Sequence, residues 1–300
     1  MPHPPVALRY VEPVFRPPSE ADSLILPVTD GCSWNRCRFC EMYTAPQKKF
    51  RARDEAEVLG SIRWAAGQLG ARVRRVFLAD GDALVLPTHR LLAVLEAIRA
   101  ELPAVNRISS YCLPRNLRRK PVEELAALRA AGLALVYVGA ESGDDTVLER
   151  VGKGETFDST REALDKLAAA GIRRSVMILN GLGGPAFSEQ HAANSARLAN
   201  ATQPEYLATL VVSFPQGEAR FRGGFPEWQP LDLRGLFLEM ERFLSALELN
   251  RTIFRSDHAS NWLVLKGTLG RDKERLLSEV RRTIADPASA RLRPAWARGL

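Results

Sequence analysis

Apolar residues along this 300-residue chain alternate between short continuous runs and longer stretches with a three-to-four-residue period. The short runs predict strands at Leu24–Val28, Val73–Ala79, Arg107–Cys112, Ala134–Gly139, Ser175–Asn180 and Tyr206–Ser213. The periodic stretches predict helices between them. One starts near Asp54 and puts Val58, Ile62, Ala65 and Leu69 on one face. The next starts after Thr88, read as its N-cap, and carries Leu91, Leu92, Leu95 and Ile98. Pro121 opens a third, with Val122, Leu125 and Leu128 inward and Gly132 as its stop. A short helix through Val147 and Leu148, one from Thr156 to Ala170 ending at Gly171, and one from Ser188 to Ala199 complete the series.

Six strand-then-helix steps predict an α/β fold with a parallel sheet and right-handed crossovers. The strands are mostly continuous apolar runs, as expected where both faces are covered. In curled parallel sheets the chemistry gathers in the loops at the C-terminal strand ends. After Pro215 the alternation stops. Gly217–Pro230 reads as a loop rich in Gly, Pro and aromatic residues, and Leu231–Leu249 as a helix with Leu236, Met240, Phe243, Leu244 and Leu247 inward. Phe254–Trp262 reads as a second loop, followed by Leu263–Leu265 and a helix from Arg271 to Ile284. The division this predicts is an arm over 1–21, a core over 22–215 and a C-terminal extension over 216–300.

Composition changes this picture little. An apolar fraction of 46% supports a sizeable core. No apolar run reaches the roughly 20 residues of a membrane span. The opening Met1-Pro2-His3-Pro4-Pro5 lacks a signal-peptide pattern, so no membrane association and a cytoplasmic location are expected. The net charge of +7 is scattered over predicted helices. A basic surface keeps an RNA substrate open beside a small molecule. Oligomeric state is not legible.

Cysteine changes it more. Three of the four cysteines, Cys32, Cys37 and Cys40, lie on the loop after the first strand. In a reducing compartment such bunching points to a metal or redox role rather than disulfides. Three thiolates with no fourth nearby leave one metal position open. Structural zinc takes four ligands in two close pairs, and nothing nearby supplies the second pair. Iron–sulfur clusters are held by thiolates.

The run Cys32-Ser-Trp-Asn-Arg-Cys37-Arg-Phe39-Cys40 resembles the signature of the radical SAM superfamily. The usual spacing there is Cys-x3-Cys-x2-Cys, whereas this loop carries one extra residue. That spacing, the arm at Pro17–Ser23 and the Asp257–Asn261 run resemble a coproporphyrinogen-oxidase-like subgroup. The resemblance implies a partial (β/α)6 TIM-like barrel, with the C-terminal extension capping it. It implies a [4Fe-4S] cluster whose free iron binds S-adenosylmethionine (SAM). Reductive cleavage would then give a 5′-deoxyadenosyl radical that abstracts hydrogen from substrate, with an electron donor such as a flavodoxin or ferredoxin.

The same resemblance assigns roles along the strand ends. Asp80, Gly81 and Asp82 stand where a Gly-Gly-Glu-like turn meets the amino group of SAM. Tyr111 stands where related members carry a ribose-binding glutamate. Glu141, with Ser142 beside it, is placed near the ribose, and Lys153 near the SAM carboxylate. Leu179, Gly181 and Val212 fall in the region used for adenine, and Phe39 is the typical aromatic before the last cysteine. Cys112, at the mouth of the predicted barrel, and His258, in a dense polar run, are candidate catalytic residues on the substrate side. Methyl or other group transfer to RNA or a small molecule is the alternative within the family. A non-catalytic iron–sulfur or zinc redox sensor is the alternative outside it.

Overall fold

The computed structural model describes residues 4–299. In chain order the elements begin with β1 (Leu24–Pro27), β2 (Thr29–Asp30), β3 (Arg51–Ala52), α1 (Glu55–Leu69), β4 (Arg75–Ala79) and α2 (Thr88–Glu101). Then come β5 (Arg107–Tyr111), α3 (Val122–Ala131), β6 (Leu133–Glu141), α4 (Asp145–Arg150), α5 (Phe157–Ala169), β7 (Arg173–Asn180), α6 (Gly184–Thr202) and β8 (Tyr206–Val211). The chain ends with α7 (Ala219–Arg222), α8 (Leu233–Ala246), β9 (Ile253–Ser256), β10 (Leu265–Thr268) and α9 (Lys273–Ala285). All six predicted strands are present, each followed by a helix. No helix is long and apolar enough to cross a membrane, among the described residues.

The chain divides into two compact units. One takes residues up to Asn35 with Met42–Val138 and Asp165–Arg174; the other takes Arg36–Glu41, Gly139–Leu164 and the chain from Ser175 onward. In the first unit β4 pairs parallel with β1 on one side and β5 on the other, with Leu26 opposite Leu78 and Leu78 opposite Ser110. β5 in turn pairs parallel with β6, Tyr111 opposite Tyr137. Leu26, Ile62, Phe77, Leu78, Leu95 and Ile98 are fully buried in its core. At roughly 1.5–3 kcal/mol for each large apolar side chain buried, these fix the strand ends against the helices. Asp54 caps α1 by accepting from Ala56 N and Glu57 N.

In the second unit β8 lies between β7 and β9, parallel to both, and β10 closes antiparallel on β9. The second unit also packs α6 on α8 and α8 on α9.

Three expectations are corrected. Phe254–Trp262 is not a loop throughout, because β9 occupies its first residues and pairs with β8. Its alternation is real but short: Phe254 and Ser256 are buried while Arg255 is exposed. Gly217–Pro230 is a loop only in part. It holds α7, and Phe221, Phe225 and Trp228 from it are core residues. Thr88 is the first residue of α2 and makes no cap; Pro87 holds that position. The Thr88 hydroxyl instead meets Glu124 and the Lys120 ammonium, partners distant in sequence.

Candidate active site

The first unit carries Cys32, the Asp80–Asp82 turn, Tyr111 and Cys112. The turn follows directly on β4, and its backbone is tied to the segment after β1. Asp80 N donates to Thr29 O at 3.1 Å and Gly81 N to Gly31 O at 3.2 Å. The Asp80 carboxylate is buried. One oxygen accepts from the fully buried Lys48 ammonium and from Gly31 N. The other, Oδ1, is buried with no hydrogen-bond partner among the described residues. Burial pushes the Asp80 carboxyl above its ordinary pKa, against the pull of Lys48.

Asp82 is fully buried and held by the Ser33 hydroxyl and the Asn116 amide. Desolvation raises its pKa to about 6, although both hydrogen bonds act in the opposite sense. Gly81 lies against Tyr43. A Cβ there would lie 2.6 Å from the Tyr43 ring, so the close approach is that of Tyr43. Arg115, next to Asn116, lies over the Trp34 ring at 3.5 Å from its centroid. Ser33 and Trp34 both belong to the cysteine loop, so this loop is tied to the turn after β4 through Asp82 and to the segment after β5 through Arg115.

Tyr111 makes edge contacts with Phe77 at 5.1 Å and Tyr137 at 6.2 Å. Its ring therefore belongs to an aromatic group running across β4, β5 and β6. Cys112 is buried; its thiol donates to Leu113 O at 3.6 Å and its N–H to Tyr137 O at 2.9 Å. That is the environment of a core thiol.

The second unit carries Cys37, Phe39 and Cys40. Their segment is anchored at both ends: Arg38 N donates to Val151 O at 2.8 Å, and Gln216 N to a Glu41 oxygen at 3.1 Å. The Arg220 guanidinium donates to the Cys40 carbonyl. Cys40 N donates to Cys37 O at 3.3 Å, so these two cysteines share one turn.

At the end of β6, Glu141 adopts φ +67°. Its carboxylate accepts from Lys153 at 3.2 Å, and both are buried. A Cβ at 139 would meet the Glu141 oxygen at 2.0 Å, so any other residue there would have to displace that carboxylate from its place beside Lys153. The Lys153 ammonium lies 5.9 Å from the centroid of the Phe39 ring. Phe39, Leu179 and Val212 all pack on one apolar cluster of Val147, Val151, Leu182, Phe221, Phe225 and Trp228. Three residues singled out separately in the sequence thus share one apolar wall.

Ser142 belongs to a buried polar chain that the sequence pattern does not reveal. Its hydroxyl shares a hydrogen bond with His191 Nδ1 at 2.7 Å, and His191 Nε2 lies 3.8 Å from Glu239. Glu239 accepts from Gly181 N and from the Ser188 hydroxyl, each at 2.6 Å. Gly181 O accepts from Trp228 Nε1 at 3.2 Å. Glu239 alone carries a sequence signal: it stands on the apolar stripe of α8 beside Leu236, Met240 and Phe243. An acid on a buried helix face has to be partnered.

His258 sits after β9. Ser260 N donates to its Nδ1 at 3.1 Å, and Arg293 holds the carbonyls of Asp257, His258 and Asn261. Burial and the nearby Arg293 charge lower the His258 pKa, so the ring is neutral near pH 7. Ser260 and Asn261 fasten this turn to Val211 N and Thr209 O at 3.1 Å and 2.8 Å. The Asp257–Asn261 run is therefore a clamp on β8.

The donor set fits a thiolate-ligated cluster with an open iron. No disulfide joins the four cysteines. Among the described residues no group of three or more His, Cys, Asp or Glu side chains is gathered closely enough to hold a metal ion, so this fit is one of donor chemistry.

The sequence profile of the radical SAM superfamily matches residues 26–199, more than half of the chain. Radical S-adenosyl methionine domain-containing protein 1, mitochondrial, from Bos taurus is 37% identical over 101 residues, which is 33% of this chain and 22% of that protein. Its Mus musculus counterpart is 35% identical over 117 residues, 37% of this chain and 25% of that protein. The chain thus spans about a quarter of the length of the curated relatives it matches. Among solved structures, the radical SAM enzyme coproporphyrinogen III oxidase (HemN) of Escherichia coli superposes with a TM-score of 0.55 at 15% identity, covering 74% of this chain and 52% of that one. Methylornithine synthase (PylB) gives 0.52 at 15% identity, covering 91% and 74%. The methyltransferase TsrM of Kitasatospora setae, with cobalamin and a [4Fe-4S] cluster, gives 0.52 at 20% identity, covering 63% and 36%. These likenesses fix the fold as the mostly parallel α/β type of the partial TIM-like barrels. With its three-cysteine loop on that fold, the chain belongs to the radical SAM superfamily, as an enzyme of the radical SAM type.

Proposed function

We propose that Cys32, Cys37 and Cys40 hold a [4Fe-4S] cluster and that the chain uses it with SAM to take hydrogen from a substrate. The carrying observation is the donor set: three thiols and no fourth on the loop after β1, inside the family match. When bound, cluster and SAM supply a one-electron reductive cleavage of the sulfonium and hydrogen abstraction from substrate. The electron comes from a small donor such as a flavodoxin or ferredoxin.

The residues divide the work of binding. In the first unit the unpartnered Asp80 Oδ1 offers an acceptor to the SAM amino group. In the second unit Lys153 offers a cation to a carboxylate and Glu141 an acceptor to hydroxyls. Phe39, Leu179 and Val212 offer an apolar wall to adenine and exclude water there. Gly181 is positioned by Glu239 and Trp228. Residues 22–215 carry the cofactor chemistry, and 216–300 support it through Phe221, Phe225, Trp228 and Glu239. Cys112 and His258 are left in structural roles.

The test is anaerobic reconstitution followed by SAM and a strong reductant. About four iron and four sulfide per chain, and 5′-deoxyadenosine in the product, are expected. Changing Cys37 or Cys40 to Ala should abolish both. Zinc without an iron–sulfide chromophore would end the cluster reading. A reducible cluster that never cleaves SAM would favour the sensor.

A further inference from the structure

The first unit contains an open groove of about 860 Å³ that none of the assignments above uses. It runs between the segments that follow β4 and β5. Its size is that of a small-molecule site. One side is basic: Arg115, Arg118, Arg119 and Lys120 all line it. Glu124 is the one carboxylate among the lining residues, and the Thr88 hydroxyl donates to it. The other side is apolar, formed by Val85, Pro87 and Leu92.

The cations are not a random surface run. Lys120 is buried, and its ammonium is fixed by Leu86 O at 2.8 Å and the Thr88 hydroxyl at 3.2 Å. Arg115 is fixed over the Trp34 ring. Arg118 and Arg119 are exposed at the open side. α2 and α3 both begin at this groove, which adds the positive ends of two helices. Four Arg and Lys side chains against one carboxylate leave a formal net charge of +3 on the lining.

The groove also adjoins the cysteine loop through covalent neighbours. Asn116 holds Asp82, which Ser33 also holds, and Arg115 stacks on Trp34. A ligand touching Arg115 and Asn116 therefore touches residues that brace the loop carrying Cys32.

We propose that this groove binds the substrate, and that the substrate is a small organic anion. Its phosphate or carboxylate end lies on Arg118, Arg119 and Lys120, and its apolar body on Val85, Pro87 and Leu92. This rests on the enzymatic reading above for the word substrate, and not for the binding itself.

The test is calorimetric titration of the full chain with phenyl phosphate, 3-phenylpropionate and inorganic phosphate at low ionic strength. Saturable binding at one site per chain is expected. The two ring-bearing anions should bind roughly fivefold or more tighter than inorganic phosphate, and whichever of the two binds tighter identifies the anionic group. The double variant Arg118→Ala, Arg119→Ala, at exposed positions, should weaken that binding roughly tenfold or more. Leu92→Asn, which adds no charge, should weaken the ring-bearing probes and leave inorganic phosphate little changed. Equal affinity in the double variant and the parent chain overturns the proposal. So does ring-bearing binding no tighter than that of inorganic phosphate, which would leave only diffuse attraction. A single-stranded RNA that binds more tightly with length, with a salt slope reduced by about two in the double variant, replaces the small molecule with nucleic acid. The measurement reads binding and no turnover, so its failure leaves the cluster reading standing, and loss of the cluster reading leaves the groove measurement standing.

Discussion

The turn after β4 and the loops after β6 and β7 solve the same problem in opposite ways. Each brings acidic residues to the C-terminal end of a parallel strand and buries them. After β4, Asp80 and Asp82 are compensated by groups remote in sequence: Lys48 for one, Ser33 and Asn116 for the other. Compensation there is incomplete, because Asp80 Oδ1 has no partner among the described residues. After β6 and β7, Glu141 is matched by Lys153, and Glu239 accepts from two donors beside His191. Beside them stands an apolar wall made by Phe39 of the cysteine loop, Leu179 of β7 and Val212 after β8. An acid at a strand end therefore does not have one meaning. The first region retains unsatisfied polar capacity, which suits a charged ligand group; in the second the polar groups are already paired, so a ligand there competes with the Glu141–Lys153 pair.

The largest way to break this contrast is Lys48→Ala. It removes the ammonium set against the buried Asp80 carboxylate, and breaking such a pair costs about 3–5 kcal/mol. The loss depends on pH. Without Lys48 the Asp80 pKa rises further above its unfolded value, so the folded state holds a proton that the unfolded state has released. The deficit should therefore grow as pH rises through the parent's already raised Asp80 pKa, and shrink as pH falls below it. Urea denaturation at several pH values reads this directly. An unchanged midpoint at pH 7 would mean that water replaces Lys48 without cost.

Asp82 gives the next effect. Its pKa of about 6 lies above the ordinary 3.8. By the same sign argument, folding stability should fall as pH rises from about 4 to about 6. The fall should total roughly 2–3 kcal/mol, at about 1.4 kcal/mol for each pH unit between the unfolded and folded values. Asp82→Asn should flatten that slope while keeping an acceptor for Asn116. A slope that persists unaltered in the variant would assign it to another group.

How much of this is legible in the sequence follows from the range of each interaction. The β/α alternation and the cysteine loop are local patterns, and both are present where the apolar runs and spacing put them. Lys48 is not legible. It stands beside Lys49 and Phe50 in no periodic stretch, and only the fold of the first unit brings it to Asp80. β9 escapes notice because Phe254 and Ser256 supply only two buried positions before the polar Asp257–Asn261 run. The core role of Phe221, Phe225 and Trp228 is hidden by the glycines and prolines among them. Their packing is with Val147 and Val151, far away in sequence. The position of Asp80 and Asp82 is visible in the chain, but their partners are not, because pairing across loops leaves no periodic trace.

Glu239 supplies the smallest effect and the sharpest division between the two regions. Glu239→Gln keeps the shape and one oxygen, so Gly181 N or Ser188 retains an acceptor while the other loses a charge-assisted bond. The expected cost is about 1–2 kcal/mol, well below that of Lys48→Ala. If the second region acts only as an apolar wall, SAM affinity in the reconstituted protein should fall with Gly181 displaced and recover little on changing pH. Equilibrium binding of SAM to the variant and to the parent chain reads this directly. Because Glu239 holds Gly181 N of the proposed SAM-binding region, affinity should drop by a few-fold while iron and sulfide content stay the same. Loss of the cluster in this variant would instead show that the buried chain supports the cysteine loop, and the contrast with the turn after β4 would no longer hold.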